Sequence, residues 1–149
     1  MKYLGLEHII EINEAIYQES IKDDQIEYSG KDEYPIKFDK LEKLIENTPK
    51  ESIIDTASYY LKSIILLQPF PNANHRTAIL TVEYFLQING NKLEYSKDDI
   101  TSFHQNSFKV QFKIYKTYEE LDVKILTEEK NDFYFYCRKF IEDHLTKSD

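Results

Sequence analysis

Apolar residues recur at three- and four-residue steps along most of this chain, a pattern that predicts a mainly α-helical protein. The stretches between them are short and hold few glycines or prolines, which favours long helices over many tight turns. The pattern predicts helices over residues 6–20, 39–46, 49–67, 75–89 and 128–145.

Residues that typically cap or end helices support these bounds. Thr48 is placed to cap the third helix, with Pro49 at its first position and Glu51 completing a capping box. Pro69 biases the preceding residue away from helical angles and should end that helix near Leu67. A glycine follows the fourth helix at position 90, where it can terminate it.

Two stretches depart from the helical period. Residues 25–28 and 34–38 look like short extended arms around a polar turn, so we predict a small β-hairpin flap over residues 25–38. Residues 108–114 alternate apolar and polar positions, as a strand does, but they also continue a helical spacing from Ile100. Both interpretations of that segment stay open at this stage.

Length and charge bound the class of protein. The 149 residues suffice for one domain, 1–149, and the apolar fraction of 41% is that of a chain with a packed core. A net charge of −8 argues against nucleic acid or an anionic membrane as the main partner. The single cysteine, Cys137, allows no internal disulfide, and no apolar run is long enough to span a membrane. We therefore expect a cytoplasmic protein.

Candidate chemistry is concentrated in the polar loop between the third and fourth helices, residues 68–77. Backbone amides at the start of a helix are unpaired and carry the positive end of the helix dipole. Ala73, Asn74 and His75 supply such amides, Arg76 adds a guanidinium suited to phosphate oxygens, and Asn74 can also brace the loop. Chemistry alone leaves two interpretations open: a phosphate cradle, or an ordinary helix connection with a surface arginine.

The loop sequence QPFPNANHR resembles the signature of the Fic/Doc family, His-x-Phe-x-(Asp/Glu)-(Gly/Ala)-Asn-(Gly/Lys)-Arg. Phe70, Ala73, Asn74 and Arg76 match at the right spacing, and the following Thr-Ala pair continues the match as in Doc-like (death-on-curing) members. The resemblance implies a helical Fic/Doc bundle with a small hairpin flap. It also implies binding of ATP or another nucleoside triphosphate and transfer of AMP or a phosphoryl group to a protein hydroxyl.

Carried over to this chain, the resemblance implies a role for each matching position. Phe70 would anchor the loop in the core, and the backbone of residues 73–75 together with Arg76 would hold phosphates. The flap at 25–38 would clamp a protein target as an added strand. Toxin-like members of the family also make a small antitoxin a candidate partner.

Two departures fall on the positions that carry the family's chemistry. The catalytic histidine, a general base, is Gln68 here, and the acidic residue that binds Mg²⁺ is Asn72, a weaker ligand. Loss of a general base typically costs a factor of about 10²–10⁴. His75 is interpreted as a phosphate or solvent contact rather than a replacement base. We therefore expect weakened or altered transfer; the alternative is a catalytically dead pseudoenzyme that binds a nucleotide or a partner.

Overall fold

A computed structural model describes residues 1–147 of the chain. Six helices and one two-stranded antiparallel sheet make up the regular structure of these residues, with two short 3₁₀ turns, Tyr118–Glu120 and Val123–Thr127. The elements, in chain order, are α1 Leu6–Lys22, α2 Phe38–Glu46, α3 Ile53–Leu67, α4 Asn74–Ile88, β1 Asn91–Leu93, α5 Lys97–Ile114, α6 Asp132–His144 and β2 Leu145–Lys147. The prediction of a mainly α fold is confirmed.

Helix α3 lies at the centre of the molecule. All of its residues from Thr56 to Leu67 are buried, because α4 and α6 pack on it and α2 and the second 3₁₀ turn cover other parts of its surface. Helix α1 packs on α4, and α5 packs on α6. Since α3 and α4 form the middle of the core, the loop that joins them is fixed at both ends.

Two helices begin later than the sequence predicted. Helix α3 is capped by Ser52, whose hydroxyl accepts a hydrogen bond from the Asp55 amide at 3.1 Å, so Thr48 is not its cap. Helix α6 begins after Asn131, whose side chain accepts from the amides of Phe133 and Tyr134, and not at residue 128. In both cases a nearer side chain satisfies the first free amides of the helix.

The structure decides the segment that the sequence left open. Residues 108–114 continue α5 as a helix, and its buried face runs through Phe103, Ser107 and Gln111 at four-residue steps. The alternation seen in the sequence arises because two phenylalanines of this stretch, Phe108 and Phe112, lie on the exposed side of the helix. Periodicity alone could not separate these cases in so short a stretch.

The predicted hairpin flap is wrong in position. Residues 25–38 contain no strand before α2 begins at Phe38, and the small sheet of the molecule pairs Asn91–Leu93 with Leu145–Lys147 instead. Side chains hold the segment in place of strand pairing: the Tyr28 hydroxyl donates to Asn13 Oδ1 at 2.8 Å, and Lys31 forms an ion pair with Glu14. The segment is therefore fastened to α1, and its two arms do not pair with each other.

None of the helices within residues 1–147 combines the length and the apolarity that a membrane crossing requires.

Candidate functional site

The loop from Gln68 to Ala73 begins and ends with residues in the left-handed region. Gln68 has a φ of 46° and Ala73 a φ of 61°, although neither is a glycine. This conformation costs a residue with a side chain about 1–2 kcal/mol. Because both neighbouring helices are packed into the core, their positions impose this tight path on the loop.

Asn74 and Phe70 give the loop its shape. The Asn74 side chain accepts from the Phe70 amide and donates to the Phe70 carbonyl, both at 3.0 Å. The Phe70 side chain is buried among the core residues. The Asn74 side chain therefore links to both backbone groups of Phe70, and the Phe70 ring lies in the core.

A buried asparagine of α1 fixes the other side of the loop. Asn13 is only 1% exposed, and its Nδ2 donates to the Asn72 carbonyl and to Thr77 Oγ1, each at 3.0 Å. Its Oδ1 accepts from the hydroxyl of Tyr28. One side chain therefore joins α1, the loop, the start of α4 and the segment that precedes α2.

The start of α4 presents free backbone amides. The Ala73 amide, expected to hold phosphate, donates to Asn72 Oδ1 at 2.7 Å. The amides of Asn74, His75 and Arg76 form the first turn of α4, and within residues 1–147 none of the three donates to a protein acceptor. The free amides are thus those of residues 74–76, whereas the sequence had suggested residues 73–75.

These amides border a cleft of about 400 Å³ between the loop, α1, the segment after α1 and α5. Pockets that hold small organic ligands commonly have volumes of this size. The residues that line the cleft are Ile16, Gln25, Ile26, Glu27, Asn72, Ala73, Asn74, His75, Arg76 and His104.

Arg76 lies at the edge of the cleft and is 46% exposed. Its Nη2 atom is 3.3 Å from Glu19 Oε2 on α1, so the guanidinium is oriented by a carboxylate and does not extend freely into water. An exposed pair of this kind contributes little stability, at most about 1 kcal/mol. An arriving phosphate could therefore displace Glu19 at low cost.

His75 and His104 form a partly buried aromatic pair at one end of the cleft. Their ring centroids are 5.0 Å apart and their ring planes are nearly perpendicular. The ring of Phe108 stacks on His75 with a centroid distance of 5.0 Å. Burial, with a smaller effect of His104, lowers the pKa of His75 to about 4, and burial also lowers the pKa of His104. Both rings are therefore neutral near pH 7, and His75 offers a neutral surface to the cleft.

Gln68 and Asn72 occupy places that restrict their chemistry. Gln68 does not line the cleft; it borders a separate small pocket with Lys37 and Lys40. The Asn72 side chain is engaged at both ends, because its oxygen accepts from Ala73 and its nitrogen donates to Ser29 Oγ at 2.9 Å.

The donor set at the loop does not suit a tightly held Mg²⁺. Within residues 1–147, no three His, Cys, Asp or Glu side chains lie together as a metal-binding group. The amide oxygen of Asn72 already accepts a hydrogen bond from its neighbour. A hard divalent cation prefers several oxygen ligands, including carboxylates.

Sequence reasoning did not identify three residues that shape this site: Asn13, Glu19 and His104. Asn13 was detectable, because it interrupts an otherwise apolar face between Ile9 and Ile16, and a polar residue at such a position requires partners. Glu19 and His104 gave no such signal, since their relation to the loop depends on how α1 and α5 pack.

Comparison with known proteins gives one match. A family model described as "Fic/DOC family" matches residues 3–86, which include α1 to α3, the whole loop and α4 up to Leu86. No curated protein and no solved structure matches the chain.

Proposed function

The chain belongs to the Fic/DOC family, whose members are generally AMP or nucleotide transferases, and from this premise we propose that it binds a nucleoside triphosphate at the start of α4 with its transfer activity weakened. The observation that carries the proposal is the set of three unpaired amides, Asn74 to Arg76, at the edge of a cleft of about 400 Å³. Such amides attract negatively charged oxygens.

In this proposal the phosphates lie on the amides of α4 and on the Arg76 guanidinium. Arg76 exchanges Glu19 for a phosphate, which makes the charge-assisted pair that a guanidinium favours. Asn74 and Asn13 keep the loop in shape through their bonds to its backbone. The proposal places the protein in the cytoplasm.

Weak transfer follows from Gln68. An amide can orient a hydroxyl, but it has no lone pair that titrates near neutral pH, so it cannot take the proton of an attacking hydroxyl. Gln68 also borders a pocket other than the cleft. The target would be a protein hydroxyl, as for other family members, and an antitoxin remains a candidate regulator.

A second candidate, a pseudoenzyme that binds a nucleotide or a protein without chemistry, is favoured by the position of Asn72. With its amide engaged by Ala73 and Ser29, this side chain lacks both the charge and the freedom that a magnesium ligand needs.

Labelled ATP separates the two candidates. The native chain and the double variant Gln68→His with Asn72→Asp are incubated with α- or γ-labelled ATP and a cell extract. Label on protein with the native chain supports the transferase, whereas label only with the double variant supports the pseudoenzyme. Absence of label and of nucleotide binding in both would overturn the proposed function.

Calorimetry tests the phosphate seat directly. We expect Arg76→Ala to weaken ATP binding by about tenfold or more, because a charge-assisted contact to phosphate is removed. Lys109→Ala, which removes an exposed charge from α5 outside the cleft, is the matched control and should leave the affinity unchanged. Equal affinities for the native chain and Arg76→Ala would contradict the role of the guanidinium.

A further inference from the structure

A second cavity, the aromatic pocket, lies between α5 and α6 and has a volume of about 260 Å³. It shares no lining residue with the cleft at α4. Pockets for drug-sized ligands usually hold about 300–1,000 Å³, so this one suits a smaller molecule. The residues that line it are Asp99, Ser102, Phe103, Asn106, Tyr136, Lys139, Phe140, Asp143 and His144.

Three aromatic rings form the apolar part of the pocket. Phe103 and Tyr136 stack with their ring centroids 5.1 Å apart, and the centroid of the Phe140 ring lies 4.5 Å from that of Phe103. Both phenylalanines are buried, and the Tyr136 hydroxyl donates to the Phe103 carbonyl at 2.7 Å, so the rings are held in place. Aromatic rings pack against apolar groups and also attract cations to their faces.

Beside these rings, two hydrogen-bond acceptors face each other. His144 Nδ1 lies 2.7 Å from the Phe140 carbonyl oxygen, and because that oxygen can only accept, Nδ1 carries the proton of the neutral ring. The other ring nitrogen, Nε2, is then an acceptor, and it lies 3.5 Å from Asp99 Oδ2. Since a carboxylate oxygen also accepts, neither atom supplies a donor to the other. An N–H group of a ligand would supply that donor to both.

The charges around the pocket favour a cation. Lys139 Nζ is engaged by Asp143, 3.1 Å from its Oδ2 atom, whereas Asp99 forms no ion pair with a lysine or arginine of residues 1–147. The two aspartates and the one lysine of the lining leave a net charge of −1 when His144 is neutral. The net charge of −8 over the whole chain attracts cations as well.

We propose that the aromatic pocket binds a small organic cation, with its ammonium group between Asp99 and His144 and its apolar part on the rings of Phe103 and Phe140. The ammonium donates to both acceptors, and the rings add a cation–π attraction. A metal ion fits less well, because within residues 1–147 no three acidic, histidine or cysteine side chains lie together as a metal-binding group. The inference does not rest on nucleotide binding or transfer.

Nuclear magnetic resonance titration of the full chain tests this with benzylammonium as the probe. Benzyl alcohol has the same ring without the charge, ethylammonium has the charge without the ring, and benzoate reverses the charge. We expect benzylammonium to bind about tenfold more tightly than each of these three, since it alone combines the ring with a cationic donor. The amide signals that shift should be those of α5 and α6 around the pocket.

A matched pair of variants isolates the carboxylate. Asp99→Asn should weaken benzylammonium binding by about tenfold, because the charge that faces the ammonium is lost. Its amide oxygen can still accept from the Ser96 amide, which Asp99 Oδ2 does at 2.9 Å, so the start of α5 is retained. Asp98→Asn makes the same change in charge one residue earlier, outside the lining of the pocket, and should leave the affinity unchanged.

A second pair isolates the imidazole. His144→Phe keeps an aromatic ring beside Phe140 but removes the acceptor nitrogen, and it should weaken benzylammonium binding by about threefold or more. His8→Phe makes the same exchange outside the pocket and should have no effect on binding. Urea unfolding verifies that each variant is folded.

Four results would overturn the inference: equal affinities for benzylammonium and benzyl alcohol, equal losses in Asp99→Asn and Asp98→Asn, no shift of signals around the pocket, or an imidazole of His144 protonated on both nitrogens in the free chain at about pH 7.5. In the last case His144 would itself supply the donor to Asp99. A basic peptide such as acetylated Gly-Lys-Gly amide that binds at least about tenfold more tightly than benzylammonium would also overturn it, by identifying a protein side chain as the occupant. Arg76→Ala should bind benzylammonium as the native chain does, which keeps this inference apart from the proposed function.

Discussion

Side chains, not glycines, hold the loop before α4 in its path. Ala73 adopts a φ of 61° although glycine would do so without strain. The two bonds between Asn74 and the backbone of Phe70 close the loop on itself, and Asn13 holds it from the outside. The shape of the site therefore depends on the side-chain amides of Asn74 and Asn13, each of which both donates and accepts hydrogen bonds.

Replacement of Asn74 by alanine tests that dependence. We expect the free energy of unfolding to fall by about 1–3 kcal/mol, because both backbone groups of Phe70 lose their partner. Asn106→Ala is the control, since Asn106 is exposed and its Nδ2 donates to the hydroxyl of Ser102 at 3.2 Å, and it should change stability by less than about 0.5 kcal/mol. Urea unfolding measures both, and equal effects would contradict the role of the brace.

The pair His75 and His104 makes stability depend on pH. Burial and then His104 hold the pKa of His75 at about 4 in the folded chain, below its ordinary value of 6.5. Between these values the unfolded chain binds a proton that the folded chain does not. The contribution of neutral His75 to the free energy of unfolding is therefore fully present above about pH 6.5 and is lost as the pH falls toward 4.

The free energy of unfolding of the native chain should fall between about pH 7 and pH 4.5. We expect this fall to be smaller by on the order of 2 kcal/mol in the double variant His75→Gln with His104→Gln. Urea unfolding at several pH values measures the difference. His8→Gln, which replaces a partly exposed histidine outside the cleft, is the matched control variant. An unchanged slope in the double variant would show that the pair is not responsible.

At the scale of the elements, the first residue of α3 is decided by which side chain caps the helix. The sequence pattern predicted Thr48 as the cap of this helix, whereas the structure uses Ser52, four residues later. The Thr48 hydroxyl donates instead to the Leu44 carbonyl at 3.2 Å, near the end of α2. Thr48 therefore belongs to the end of one helix rather than the start of the next.

A cap prediction follows for α3. Ser52→Ala should lower the free energy of unfolding by about 1 kcal/mol, because the first turn loses the side chain that accepts from Asp55. Ser52→Thr, which keeps a hydroxyl, should restore most of that loss. Thermal unfolding followed by circular dichroism provides the measurement, and equal stability of the alanine and native chains would argue that the cap is without effect.

Over the whole molecule, the burial of α3 depends on α6. Phe133 on α6 is fully buried in the core, whereas Phe135 on the same helix is 51% exposed. The two residues are chemically identical and two positions apart. Their difference therefore measures what packing against the core contributes.

We predict that Phe133→Ala lowers the free energy of unfolding by about 3–5 kcal/mol, since it removes a buried ring and leaves a cavity. Phe135→Ala should change it by less than about 0.5 kcal/mol. Denaturant unfolding compares them under the same conditions. Similar losses would mean that α6 does not pack on α3 as the structure shows.

The sequence by itself determined the helical class, the positions of most helices and the loop that carries the family signature. These follow from local properties: the period of apolar residues, breakers such as Pro69, and a motif confined to nine residues. The brace between Asn74 and Phe70 was also within reach, because its partners are four residues apart.

Only the tertiary structure decided the rest. Residues 25–38 do not pair as a hairpin because Tyr28 and Lys31 bind side chains of α1, which are distant in sequence. Arg76 pairs with Glu19, His104 lines the cleft and Gln68 lies at another pocket because of how α1, α2 and α5 pack around the loop. Contacts between distant residues depend on the packing of whole elements, and local patterns do not encode that packing.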